Sequence, residues 1–126
     1  MEKLSNAFSS FSVNDLGKAR DFYENILGLK VSDHPMNLLE IHIGDNVPVI
    51  VYPKPDHIPA TFTILNFRVS NLEKAVDELT GKGVVFEQYT GSISTDEKGI
   101  SRSEKGPDIA WFRDPAGNIL SILENS

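Results

Sequence analysis

A segment near the start of the chain comes back 56 positions later. Phe11-Ser-Val-Asn-Asp-Leu-Gly-Lys-Ala-Arg-Asp21 lines up with Phe67-Arg-Val-Ser-Asn-Leu-Glu-Lys-Ala-Val-Asp77 at an offset of 67 − 11 = 56, with Phe, Val, Leu, Lys, Ala and Asp in register. Self-similarity at a fixed spacing marks a repeated supersecondary unit. In a chain of 126 residues there is room for two copies and little else.

Each copy reads the same way. A period-2 segment, Ala7 to Val13 or Thr61 to Val69, predicts a strand. A helix follows, with Leu16, Ala19, Tyr23 and Ile26 as the first apolar stripe and Leu72, Ala75, Val76 and Leu79 as the second. Ser70 with Glu73 reads as a capping box, and Asn14 is its counterpart as N-cap. Gly28 and Gly81 are expected to supply the left-handed residue that ends each helix. Three strands then complete each copy. They are Leu29 to Ser32, Leu38 to Ile43 and Val47 to Tyr52 in the first, and Val84 to Tyr89, Ile109 to Arg113 and Ile119 to Leu123 in the second. Asp114-Pro-Ala-Gly-Asn118 joins the last two with turn chemistry.

The expected fold is therefore α+β: a single domain over residues 1–126, built from two tandem βαβββ modules at 5–54 and 60–126, with Pro53 to Pro59 between them. A helix covers one face of each sheet, the face of Phe11, Val13, Leu39, Ile41 and Ile43 in the first module. The other face carries Phe8, Ser10 and Ser12 in the first module and Ile64, Asn66 and Arg68 in the second, a mixture suited to a ligand cleft between curved sheets.

Composition excludes several classes. With no cysteine there is no disulfide scaffold, thiolate metal site or cysteine nucleophile. Twelve basic against eighteen acidic residues give a charge of −6, the wrong sign for a nucleic-acid surface. The start lacks the apolar run of a signal peptide, and no stretch nears the roughly 20 apolar residues of a membrane span. A cytoplasmic protein with no membrane partner is expected. Phosphate-cradle, nucleophile-elbow and zinc-protease motifs are missing from the sequence.

Two segments carry a family resemblance. Phe11-Ser-Val-Asn-Asp-Leu with Phe22-Tyr-Glu-Asn-Ile-Leu-Gly-Leu29, and Trp111-Phe-Arg-Asp-Pro-Ala-Gly-Asn-Ile-Leu120, resemble the markers of the vicinal oxygen chelate superfamily. Glyoxalase I, extradiol dioxygenases, methylmalonyl-CoA epimerase and the fosfomycin- and bleomycin-resistance proteins belong to it. Its enzymes hold a divalent metal with His, Gln or Glu from the first and last strands of each module. By resemblance those positions fall here on Phe8, Ile64, Ser121 and the strand Val47 to Tyr52, none of which offers such a ligand. The resemblance thus implies the metal-free bleomycin-resistance-like branch, a homodimer that binds a small molecule without a cofactor.

The expected ligand-binding set is Phe8, Ser10, Tyr52, Ile64, Asn66, Trp111 and Ser121. Phe8 and Trp111 offer aromatic area, and Asn66 and Ser121 offer orienting polar groups. Arg68 could join them, whereas Arg113 reads as a salt bridge or a rim arginine. Glu40 and His42, two apart on one strand, are the candidates for acid–base chemistry. They belong to an alternative reading, a glyoxalase-like lyase or isomerase with atypical ligands or metal-free catalysis. A third reading is a structural, partner-binding dimer with a collapsed cleft. The polar stretch Thr90 to Pro107 is long for a loop, and is either a lid or a plain surface loop.

Overall fold

Each sheet is built so that its first strand ends up beside its last. In the computed structural model, which describes residues 2–124, β1 (Ser10–Val13) is followed by α1 (Leu16–Asp21), a π-helical turn (Phe22–Ile26), β2 (Lys30–His34), β3 (Leu38–His42) and β4 (Val49–Pro53). Then come β5 (Thr63–Val69), α2 (Leu72–Gly81), β6 (Ile100–Ser101), β7 (Ile109–Arg113) and β8 (Ile119–Glu124). The sheets run β1-β4-β3-β2 and β5-β8-β7-β6. In each the pair closed by the module's ends is parallel and the others are antiparallel. The fold is α+β with the same βαβββ order twice, and the chain divides into two units, Met1–Ile58 and Pro59–Ser126.

The helices begin one residue later than the sequence predicts. Asp15, not Asn14, caps α1, its carboxylate accepting from the Lys18 N–H at 3.0 Å. Asn71, not Ser70, caps α2 by accepting from the Lys74 N–H at 3.1 Å. Both windows hold two capping residues in succession, and the second is the one whose side chain reaches the third helical N–H. The caps keep the repeat spacing, 71 − 15 = 56.

The helix ends depart from it. Gly28 has φ 72, as expected, but in α2 the left-handed residue is Gly83 with φ 98 rather than Gly81, which still lies in the helix. Val84 N–H donates to Leu79 C=O and Gly83 N–H to Thr80 C=O, both at 3.0 Å, the pairing of a Schellman end. From cap to glycine the first helix takes 28 − 15 = 13 steps and the second 83 − 71 = 12. The extra residue is absorbed by the π-helical turn, where Leu27 N–H bonds Phe22 C=O five residues back.

Alternation along the strands builds two cores. Val13, Val31, Leu39, Ile41 and Val51 meet Ala19 and Tyr23 in the first. The Tyr23 ring packs on Phe11 and Phe22 at centroid separations of 5.8 and 5.2 Å. In the second, Leu72 and Val76 of α2 join Ala110, Phe112, Leu120 and Ile122, together with Val84, Phe86 and Ile100. Each fully buried aliphatic side chain contributes roughly 1.5–3 kcal/mol.

Three strand expectations need correction. The β1 ladder covers only Ser10–Val13, extended by an Ile50 N–H bond to Ser9 C=O. Val84 to Tyr89 is not a strand: it inserts Val84 and Phe86 into the core and gives Glu87 N–H to Trp111 C=O. The other stretch of the β7 edge is taken by β6, from within the stretch expected to be a loop. Asp96 turns the chain into β6 by accepting from the Lys98 and Ile100 N–H groups at 2.9 Å. Lys98 then ion-pairs with Glu73 and Asp77 of α2. This half of the stretch is anchored to the helix, not draped over the face of Asn66 and Ser121.

Candidate functional site

The strand face turned away from the first core is what the module offers to a ligand. Register sets Ser10, Ile50, Glu40 and Ser32 in one row across all four strands. Ser12 and Tyr52 pair in the next row. A cavity of about 710 Å³ opens over this face, lined by Phe8, Ser10, Leu38, Glu40, Ile50 and Tyr52. His34 and Met36, from the β2–β3 hairpin, and Val47 and Pro48, from the approach to β4, complete it. Within the single chain Phe8, Met36 and Val47 are 67%, 74% and 59% exposed, so large apolar side chains line the mouth of the cavity. The volume lies within the range of small-molecule sites, roughly 300–1,000 Å³.

The polar groups on this face differ in what they already hold. Ser32 Oγ and His42 Nε2 share a hydrogen bond of 2.7 Å, and so do Ser12 Oγ and His57 Nδ1. His34 Nδ1 accepts from the Met36 N–H at 3.2 Å. Ser10, Glu40 and Tyr52 have no hydrogen bond or ion pair from their side chains to any other described residue, and among the described residues no lysine or arginine lines the cavity. Glu40 and His42 share a face but are not bonded to each other, and His42 is not among the lining residues.

The expected residues of the second module are arranged differently. Asn66, Ser121 and Trp111 form a row by register. Ser121 is fully buried and donates to Asn66 Oδ1 at 2.5 Å. Trp111 stands edge-on to Tyr89, with ring centroids 5.6 Å apart. Ile64 departs from expectation. Thr63 pairs with Ile119 and Leu65 with Leu120, leaving Ile64 as the extra residue of a bulge. The alternation that would align it with Asn66 is broken there. Arg68 is exposed, while Arg113 bonds the Glu87 carboxylate at 2.5 Å and the Gly117 carbonyl at 3.1 Å.

Phe8, Ser10, Glu40 and Tyr52 are thus brought together in one cavity, and Asn66, Trp111 and Ser121 belong to the second module. Sequence reasoning missed Leu38 and Ile50, although period-2 alternation from Glu40 and Tyr52 places both on the same face. Met36 carried no such signal, whereas His34, at the end of β2 and in register with Leu38, continues the alternation from Ser32. His34 and Met36 reach the cavity through the β2–β3 hairpin, where Asn37 adopts φ 60.

Residues 7–122 match the family described as the Glyoxalase/Bleomycin resistance protein/Dioxygenase superfamily. The chain belongs to that superfamily. It is 27% identical to the uncharacterized protein YraH of Bacillus subtilis (strain 168), an alignment covering 89% of this chain and 91% of the relative. Among solved structures it is similar to TnmS3, an antibiotic binding protein from Streptomyces sp. CB03234, with TM-score 0.72, 21% identity and coverage of 99% of this chain and 100% of the other. It is also similar to the fosfomycin resistance protein FosX from Listeria monocytogenes, with TM-score 0.73, 12% identity and coverage of 99% and 96%. At these identities the structural likenesses establish the fold.

The divalent metal of the superfamily's enzymes does not fit the residues present. Phe8 and Ile64 carry no donor atom, and Ser121 spends its hydroxyl on Asn66. Strand β4, Val-Ile-Val-Tyr-Pro, has no carboxylate or imidazole, which divalent ions of this kind prefer. Among the described residues no three His, Cys, Asp or Glu side chains come together as a ligand set. No helix among them is long and apolar enough to cross a membrane.

Proposed function

We propose that this superfamily member is a small-molecule-binding protein that holds or sequesters its ligand on the concave face of the first module, without a metal. One observation carries the reading: a cavity of about 710 Å³ in which apolar side chains surround Ser10, Glu40 and Tyr52, each with its polar group uncommitted. Apolar walls with a few convergent polar groups are the usual make-up of a ligand site. TnmS3, an antibiotic binding protein, shows the same kind of function on a chain of this fold. The proposal takes the whole chain as one domain, in a cytoplasmic homodimer. A lyase or isomerase reading gains less support, since His42 is committed to Ser32 and is not among the residues lining the cavity.

The test is a titration of the labelled full chain with a neutral flat probe, 2-naphthylmethanol, followed by amide chemical shifts. Shifts centred on Phe8, Ser10, Leu38, Ile50 and Tyr52 are expected. Saturable binding whose shifts leave these residues untouched overturns the location, and no binding by any flat apolar probe overturns the function. In parallel, tag-free protein loaded with Ni²⁺, Zn²⁺, Mn²⁺ or Fe²⁺ should retain none after dialysis. About one tightly held ion per chain would reverse the metal-free reading.

A further inference from the structure

Among the described residues Glu40 is the only carboxylate lining the first module's cavity, and its side chain has no hydrogen-bond or ion-pair partner. In its row it stands between Ile50 and Ser32, and the Ser32 hydroxyl is engaged with His42. Lys30, in register with His42 on the neighbouring strand, makes no ion pair with it. His34 Nδ1 is engaged with the Met36 N–H at 3.2 Å and makes no hydrogen bond or ion pair with Glu40. The carboxylate is half-buried beside Leu38 and Ile50, surroundings that strengthen its attraction for a cation and penalise an anion.

We infer that the cavity takes an organic cation: an ammonium or similar centre on a flat or apolar body, with the charge set against the Glu40 carboxylate. This rests on the small-molecule reading above and names the ligand class of that same site. Three features complement such a ligand. Ile50, Leu38 and Met36 offer apolar area to its body. The faces of Tyr52 and Phe8 add attraction for positive charge. Ser10, in the same row and two strands from Glu40, stands roughly 10 Å away at ordinary strand spacing. That is room for one aromatic ring system between a charged head and a hydroxyl partner. The excess of acidic over basic residues, 18 against 12, adds a long-range field of the same sign.

The experiment compares three probes that share one body: 2-naphthylmethylamine, which is protonated at neutral pH, neutral 2-naphthylmethanol, and anionic 2-naphthylacetate. Each is titrated into the full chain, wild type and Glu40→Gln, by chemical shift and calorimetry. The ammonium should bind about tenfold tighter than the alcohol, as expected for a charge-assisted contact in a half-buried site. The acetate should bind weakest. Rising salt should weaken the ammonium alone, and Glu40→Gln should bring it level with the alcohol. Glu40→Lys should reverse the order in favour of the acetate, which keeps the test decisive if the neutral variant changes the cavity. Equal affinity of all three head groups, or an ammonium preference that survives Glu40→Gln, overturns the inference and leaves the cavity reading standing. Failure of all three to shift Phe8, Ile50 or Tyr52 in the wild type overturns both.

Discussion

Ser121 and Asn66 are register partners in the parallel β5–β8 pair, and the Ser121 hydroxyl donates to the Asn66 side-chain oxygen at 2.5 Å. Two groups expected to orient a ligand therefore satisfy each other. Ser121→Ala should cost about 1 kcal/mol, the net worth of one hydrogen bond, because Asn66 is exposed and can turn to water. Urea denaturation measures the cost. Affinity for naphthyl probes in the first module should be unchanged, and loss of binding with full stability would return Ser121 to the ligand site.

The two caps offer a paired test. Asp15→Ala and Asn71→Ala should each lower stability by about 1 kcal/mol, whereas Asn14→Ala and Ser70→Ala should cost almost nothing. Thermal or chemical unfolding of the four variants decides it. The opposite ranking would mean that the helices start where the sequence pattern places them.

A methyl group at Gly99 has nowhere to go. Its φ is 87, and an added Cβ would lie 2.7 Å from the Phe86 Cβ and 3.1 Å from the Glu87 carbonyl oxygen. Backbone strain and overpacking together predict a loss of about 3 kcal/mol for Gly99→Ala. Gly91→Ala is the control: its φ is 123 but nothing lies within 4 Å of the added carbon, so only the backbone part should be lost. Equal urea midpoints for the two variants would remove the steric part of the account.

Burial works to raise the Asp96 carboxyl, but the N–H groups of Ile100 and Lys98 and the charge of Arg102 outweigh it and hold it below its ordinary value of 3.8. A depressed folded pKa stabilises the protein above the unfolded value, and the contribution is lost as pH falls through the folded one. Asp96→Asn should therefore be less stable than wild type at pH 7, with the gap closing below about pH 3.8. Melting curves across pH 2–7 would show it. A gap that persists undiminished in acid would assign the effect of the substitution to packing.

What the sequence disclosed follows from what repeats in it. Alternation and the 56-residue offset were enough for two βαβββ modules, because strand faces are set by period 2 and helix stripes by period 3.6. The same alternation put Phe8 and Ser10 on a single face, whereas the face of Tyr52 follows from its register with Ser12 in the β1–β4 pair. Alternation failed where the ladder is irregular. The bulge at Ile64 interrupts the parity from which its place was read. The edge shared by Glu87 and Ile100 depends on Asp96 folding the chain back, a contact between side chain and backbone that no periodicity encodes. The choice of Asp15 over Asn14 lies below the resolution of pattern, since both residue types cap helices equally well.

The π-helical turn at Phe22–Ile26 records how two copies of one unit can grow apart. A residue gained inside a regular helix would rotate everything after it by about 100°, turning Tyr23 out of the core and misaiming the next strand. Held as a bulge, the gain is confined to one turn. Tyr23 stays fully buried, Gly28 still ends the helix, and β2 begins on its proper face. The two modules thus differ in helix length by one residue without changing which side of the sheet their side chains occupy. That tolerance would let one copy of an ancestral unit keep an open, ligand-sized face while the other tied its polar groups together.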